Sequence, residues 1–498
     1  IDDRVEGLLG IARGVGVFDT KDESAAYVAR IGVVEKARTH HSHVGRAGWR
    51  RAESNADVRA RSICDSHDAT RVTLGDSSGP AGIAAHRVNS GTAKRMLVVM
   101  SQFDDVTPER LLASTSHKWT AYPNLSDYDY SIGMWLAEMD YRIDPVLREF
   151  LIDEATEGNF GYVSAKCVKH LQAATAAFLG RFGCEADPAR IAPIADVIRG
   201  LRLTIDHFTT PGSPVAVSTP AYMPFTTLPK EHGRDVIEVP SIFDGDQWRL
   251  DYEGIERAFE SGAELYILCN PWNPAGRVFD REELERLSAI VESAHARVFE
   301  DCIHLPLILD DVEPTVYATL NEATRAHTVL AVSASKGWNI PGLKCAQLYF
   351  PNLEDAEIFK PLAHSTAAEA ATIGIRSGVT CYEHGESWNR KLRAYLAANR
   401  DILEKRVKAW QGVKIPHIAG TYIAFLDFSS LADRGIFGDR TPAQFFAECA
   451  GVRLTEGASC GRGFEASCRM IFATSKAILD EALDRMERAL KEVGVQTA

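Results

Sequence analysis

At 498 residues the chain is longer than one hydrophobic core usually organises, so two to three domains are expected. Its 55 Lys and Arg against 68 Asp and Glu leave a formal net charge of −13, which disfavours nucleic-acid binding and attraction to anionic membranes. Apolar residues make up 45%, yet no apolar run reaches the length of a membrane span, so the composition is that of a globular protein.

Residues 1–102 mix Arg, Ser, Gly, Asp and His without a sustained period. They read as a flexible or spurious extension, with Met96 or Met100 as an alternative start. His40, His41 and His43 lack an ordered partner set, and no metal site is expected. From Phe103 the texture changes. Ser116-His117-Lys118-Trp119 leads into the apolar stretch 132–141, which ends on the acidic pair Glu138 and Asp140. Helical patterns over 145–156 and 166–182 flank the turn-like Gly158-Asn159-Phe160-Gly161-Tyr162. A further helix runs from about residue 200 to Phe208.

Strand and helix patterns then alternate. Strands are expected at 215–218, 236–239, 265–269, 298–300 and 328–333, with a charged helix over 281–296. Apolar strands separated by amphipathic helices argue for a parallel sheet covered on both faces. A long helical pattern over 386–408 leads into strands near 422–427, 452–454 and 468–472 and a last helix over 478–493. The expected organisation is α/β: residues 146–385 as a large domain, with 103–145 and 386–498 as a smaller α+β domain. Ten cysteines are scattered without a C-x-x-C pair. They read as reduced core thiols, and with no secretory signal this points to the cytoplasm.

Ligands in such sheets bind at the carboxyl ends of strands, and the residues there carry recognisable chemistry. Lys336, in Ser333-Ala334-Ser335-Lys336, follows the strand at 328–333, with Lys344 beyond a Pro-Gly break. An amine held at a strand end is free to form an imine, and nearby hydroxyls and an ammonium suit a phosphate. Pyridoxal 5'-phosphate (PLP) needs both. Asp301 ends the strand at 298–300 and needs a partner if buried. A protonated pyridine nitrogen is one partner; capping a neighbouring loop is the alternative. His304 lies within reach of a ring oxygen, and Asn273, in Asn270-Pro271-Trp272-Asn273-Pro274, presents a neutral donor there. Tyr222 is placed either to stack on a ring or to fill the core. Val197 opens a helix whose free N–H groups favour a phosphate, whereas the carboxylate of Asp196 repels one unless it points away. Arg469, in an apolar strand, wants a carboxylate: a substrate's, or that of a structural Asp.

Over about residues 103–495 these motifs, in this order, resemble fold-type I PLP enzymes of the aminotransferase class I/II superfamily. Within it they are most similar to the MalY/PatB-type cystathionine β-lyases. The stretch 135–141, Phe160-Gly161-Tyr162, Thr219-Pro220-Ala221-Tyr222 and 270–276 carry the likeness. So do 301–304, 333–344, Tyr382-Glu383-His384-Gly385 with Trp388, and 469–475.

The resemblance implies roles. Lys336 would bond the cofactor aldehyde and act as the α-proton base, and Asp301 would pair with the ring nitrogen. Asn273 and His304 would contact the ring oxygen, and Tyr222 would stack on the ring. Ser333, Ser335, Lys344 and the backbone at Asp196 and Val197 would hold the phosphate, with Tyr162 arriving from a second subunit of a homodimer. Arg469, with Asn273 and Ala137, would bind the substrate. Cys302 and Asp196 depart from the usual pattern, as an acidic residue and a glycine are common there. The implied activity is α,β-elimination of L-cystathionine or related cysteine S-conjugates, in methionine biosynthesis. The alternatives are an aminotransferase and a regulatory protein that binds a partner on the same fold.

Overall fold

The computed structural model describes residues 102–497. Strand β1 is the two-residue Ile132–Gly133, followed by the helices Pro145–Glu157 (α1) and Ala165–Gly180 (α2). Next come Ile191–Ile194 (β2), the helix Val197–Phe208 (α3), Val215–Thr219 (β3) and Val236–Pro240 (β4). A small hairpin, Ile242–Phe243 (β5) with Trp248–Arg249 (β6), precedes Leu265–Cys269 (β7) and the helix Arg281–Ser293 (α4). Arg297–Asp301 (β8), Thr328–Val332 (β9) and Ala346–Tyr349 (β10) then lead to the helices Thr372–His384 (α5) and Glu386–Val407 (α6). The chain continues through Ile423–Asp427 (β11), Val452–Arg453 (β12), Thr455–Glu456 (β13) and Ser467–Ile471 (β14) to the helix Lys476–Glu492 (α7).

Seven strands form the central sheet in the order β2-β10-β9-β8-β7-β3-β4. Pairings among β9, β8, β7, β3 and β4 are parallel, and β10 runs antiparallel to both of its neighbours. Every residue of β2, β3, β7, β9 and β10 is buried. That is why β7 and β9 are near-continuous apolar runs instead of alternating ones, while Ser218 and Thr219 of β3 and Gln347 of β10 are polar residues buried with them. Alternate side chains of β9 enter opposite cores: Leu330 and Val332 join Leu171, Phe178 and Ile375, while Val329 and Ala331 join Leu201, Ile205 and Leu287. Helices α2 and α5 thus cover one face, and α3 and α4 the other.

A second, antiparallel sheet has the order β11-β14-β13, and β1 pairs in parallel with β12. The early segment is thereby joined to the last third of the chain. The expected strand at 328–333 stops at Val332, because the Ser333 hydroxyl takes the Ser335 N–H (3.1 Å) and caps the turn Ala334–Gly337. Strands β2 and β10 and helix α5 are additions to the expected pattern. Among the described residues no helix is long and apolar enough to cross a membrane, and the nine cysteines are free thiols. His40, His41 and His43 lie outside the described residues.

Candidate active site

Register puts the carboxyl ends of the middle strands side by side: Cys269 of β7 faces Asp301 of β8, which faces Ala331 of β9. The loops leaving β3, β7, β8 and β9 therefore gather at one edge of the sheet. There they enclose a cavity of about 350 Å³. Its wall contains Lys336, Asp301, Asn273, His304, Tyr222, Ser333, Ser335, Lys344, Asp196, Val197 and Ala137. Arg469 and Tyr162 are not part of this wall. Arg469 sits on β14, 2% exposed, and its Nη1 approaches Asn273 Oδ1 at 3.5 Å. Tyr162 projects fully into solvent, 103% exposed, beside the 62%-exposed Phe160.

Lys336 is carried by the one-turn helix Ala334–Gly337, directly after β9. Its Nζ donates to Ala137 O at 2.6 Å. Burial, with the nearby Arg469 charge, pushes this amine down to about 8. A substantial neutral fraction therefore exists near neutrality, which both a nucleophile and a base require.

Asp301 is 3% exposed. Its Oδ1 accepts the Ile303 N–H at 2.9 Å, so it does cap the following turn, and its Oδ2 meets only the Cys269 thiol, at 4.0 Å. Among the described residues no cation stands within ion-pair distance of it, and burial raises it to about 7. His304 is 1% exposed with Nδ1 unpartnered, and burial lowers it to about 3, so the ring is neutral.

Arg469 donates from Nη2 to Trp135 O (3.0 Å) and to Thr455 Oγ1 (3.4 Å), while its buried Nε has no partner. The structural Arg–Asp pair allowed by the sequence is absent among the described residues: no carboxylate reaches this guanidinium. Asp196 stays in the cavity wall, but both of its oxygens are engaged. Its Oδ1 caps α3 through the Arg199 N–H (2.8 Å), and its Oδ2 pairs with Lys344 (3.0 Å). Ser333 is more engaged than expected, since its hydroxyl also donates to Cys345 O at 2.8 Å.

Two contributors were not legible in advance. Tyr422 donates to Ala137 O at 3.1 Å, with its ring 6.0 Å from that of His304. Trp135 acts through its carbonyl, a group every residue has. The Gly-Thr-Tyr sequence ahead of β11 is the one available hint of Tyr422.

This cavity holds a buried carboxylate without a cation and an amine poised between charged and neutral, and behind its Asn273 lies an arginine without an anion. Those are the complements of a pyridinium, an aldehyde and an amino-acid carboxylate. The chain belongs to the family described as aminotransferase class I and II, whose model matches residues 131–486. It is 34% identical to the cystathionine beta-lyase of Corynebacterium glutamicum, over 77% of this chain and 98% of the relative. It is 27% identical to the cystathionine beta-lyase PatB of Bacillus subtilis, over 77% and 98% of the two chains. A crystal structure from Corynebacterium diphtheriae, described as a candidate PLP-dependent beta-cystathionase, superposes with a TM-score of 0.70 at 35% identity. That superposition covers 77% of this chain and 98% of the other. The fold is that of PLP-dependent fold-type I enzymes, and PLP is the cofactor.

Proposed function

We propose that this PLP-dependent carbon–sulfur lyase acts on L-cystathionine and related cysteine S-conjugates by α,β-elimination. The observation that carries the reading is the buried Lys336 amine, lowered to about 8, in the same cavity as the cation-free Asp301. Asp301 would hold the pyridine nitrogen, Tyr222 the ring face, and Asn273 and neutral His304 the ring oxygen. Lys344, Ser335 and the N-terminus of α3 would hold the phosphate, with Ser333 supporting that loop.

Bound there, PLP supplies a cationic ring that takes up the electron pair released at the substrate α-carbon. The residues do the rest. Arg469 receives the substrate carboxylate, with Asn273 and the Ala137 segment beside it. Lys336 takes the α-proton, and the Cβ–S bond breaks with the sulfur leaving as thiolate. With one water consumed, the products are a thiol, pyruvate and ammonia. In a transaminase the same residues return the proton to the cofactor carbon. That second reading is favoured by a further likeness, to an aspartate aminotransferase of Pinus pinaster, 27% identical over 56% of this chain and 58% of the relative.

The protruding Tyr162 and Phe160 support a homodimer in which Tyr162 enters the partner's phosphate site. The pairing of β1 with β12 supports residues 103–145 and 386–498 as one smaller domain around 146–385. The nine free thiols support a cytoplasmic setting. The test of the catalytic assignment is Lys336→Ala. Pyruvate release is expected to fall at least about a thousandfold while the thermal midpoint stays near wild type. Retained activity in that variant would exclude Lys336 as the base.

A further inference from the structure

Between β1 and α1 the chain crosses the cavity as a strap, residues 134–141. Its carbonyls are the groups that orient the chemistry. Trp135 O receives Arg469 Nη2 (3.0 Å) and Thr455 Oγ1 (2.7 Å), and Ala137 O receives Lys336 Nζ (2.6 Å) and Tyr422 OH (3.1 Å). The ends of the strap are tied down. Met134 N donates to Arg453 O (2.9 Å), and Met139 is clasped by Asn339, which accepts from Met139 N (3.0 Å) and donates to Met139 O (2.9 Å).

Besides these contacts the middle is held by Lys118, on the short helix His117–Thr120, with smaller help from Ser116, whose hydroxyl donates to Glu138 Oε1 at 3.1 Å, and from Asp140 N, which donates to Ala473 O at 3.0 Å. Lys118 reaches the strap three times. Nζ donates to Glu138 O at 3.1 Å and to Asp140 Oδ1 at 3.0 Å, and Lys118 O accepts from Trp135 Nε1 at 3.0 Å. The Lys118–Asp140 pair is fully sequestered, with side chains 0% and 2% exposed, and Trp119 Nε1 adds a further donor to Asp140 Oδ1 at 2.8 Å. The backbone at this crossing is close: a Cβ on Gly133 would lie 2.2 Å from Lys118 O.

Stability alone does not call for an ion pair here, since apolar residues of similar volume commonly serve a buried position as well or better. What the pair supplies is position. The ammonium grips the strap just after the carbonyl that Lys336 uses, at Glu138 O and Asp140, while the Lys118 main-chain carbonyl holds Trp135 just before it. Small displacements of reacting groups cost large factors in rate. We infer that Lys118, through Asp140, is a positioning residue that sets the strap carbonyls Trp135 O and Ala137 O against Arg469 and Lys336. The inference rests on the lyase reading for the roles of Lys336 and Arg469.

The test compares Asp140→Asn, which keeps both acceptor contacts at Oδ1, with the double variant Lys118→Met and Asp140→Asn, which removes the ammonium without stranding a buried carboxylate. In the PLP-loaded double variant kcat for pyruvate release from L-cystathionine is expected to fall about tenfold and KM to rise severalfold. Asp140→Asn should fall between it and wild type. A second readout needs no turnover. In PLP-stripped protein, labelling of Lys336 by an amine-selective reagent, located by peptide mapping, is expected to accelerate severalfold because the Ala137 O contact is loosened. Kinetics and labelling within twofold of wild type in a folded variant, whether or not the thermal midpoint falls, would overturn the assignment. If the double variant does not fold, the near-isosteric Asp140→Asn decides by the same two readouts. Wild-type protein without lyase activity sinks the lyase reading, and Lys336 labelling then still judges the strap.

Discussion

Asp301 is costly to bury as an anion, and the protein buries it without giving it a cation of its own. In PLP-stripped protein burial raises it from 3.8 to about 7, so the folded state keeps a proton that the unfolded state has released. Its contribution therefore destabilises the fold progressively as pH rises from about 4 to about 7 and is constant above that. Asp301→Asn removes this cost. The stripped variant should be more stable than stripped wild type at pH 8, by on the order of a few kcal/mol, with the gap closing towards pH 5. Denaturant midpoints at the two pH values check it, and a gap that does not change with pH would contradict it. The loaded variant should nevertheless lose most activity, because the ring nitrogen loses its anion. Arg469 makes the converse case, a buried cation awaiting an anion. Arg469→Lys keeps the charge but loses the planar fork, and KM should rise about 10- to 100-fold with a smaller change in kcat. Steady-state kinetics decide, and an unchanged KM would remove Arg469 from substrate binding.

At the scale of elements, the cofactor loop depends on a close approach that only glycine permits. A Cβ on Gly374 of α5 would lie 1.9 Å from Leu343 O, in the loop that presents Lys344. Gly374→Ala should push that loop away, cost about 1–3 kcal/mol or more, and weaken PLP binding. Denaturation and PLP titration read the two effects separately, and wild-type PLP affinity would contradict the coupling. The same elements mark what a sequence displays. β7 and β9 were legible because they are apolar runs followed at once by polar residues, and β8 because Val298-Phe299 opens directly onto Glu300-Asp301; that is where Asn273, Asp301 and Lys336 were found. β10 was hidden because its four residues carry Gln347 in their middle, an amide that is satisfied by Tyr382 OH, which donates to its oxygen at 2.9 Å across the core, and by Cys345 Sγ at 3.4 Å from its nitrogen. The strap was hidden for another reason. It works through main-chain carbonyls, and no side-chain pattern announces which carbonyl will face an amine.

At the scale of the molecule, every residue assigned to the chemistry or to its positioning lies between Lys118 and Arg469. A chain beginning at Gln102 should therefore keep the full kcat/KM, and a large loss would give residues 1–101 a role in the enzyme. The exposed Tyr162 predicts that activity needs two chains. Mixing inactive Lys336→Ala with a weakened Tyr162→Ala should yield hybrid dimers with one site carrying both defects and one carrying neither, and so recover activity above that of either alone. No recovery, with mixed dimers present, would contradict a shared site. The most direct measurement is of products. Purified, PLP-loaded protein is offered L-cystathionine with no oxo acid, and thiol, pyruvate and ammonia are quantified together. Equal amounts of all three, lost in Lys336→Ala, are the expected result. No pyruvate, with amino-group exchange once an oxo acid is added, would contradict the lyase and identify an aminotransferase.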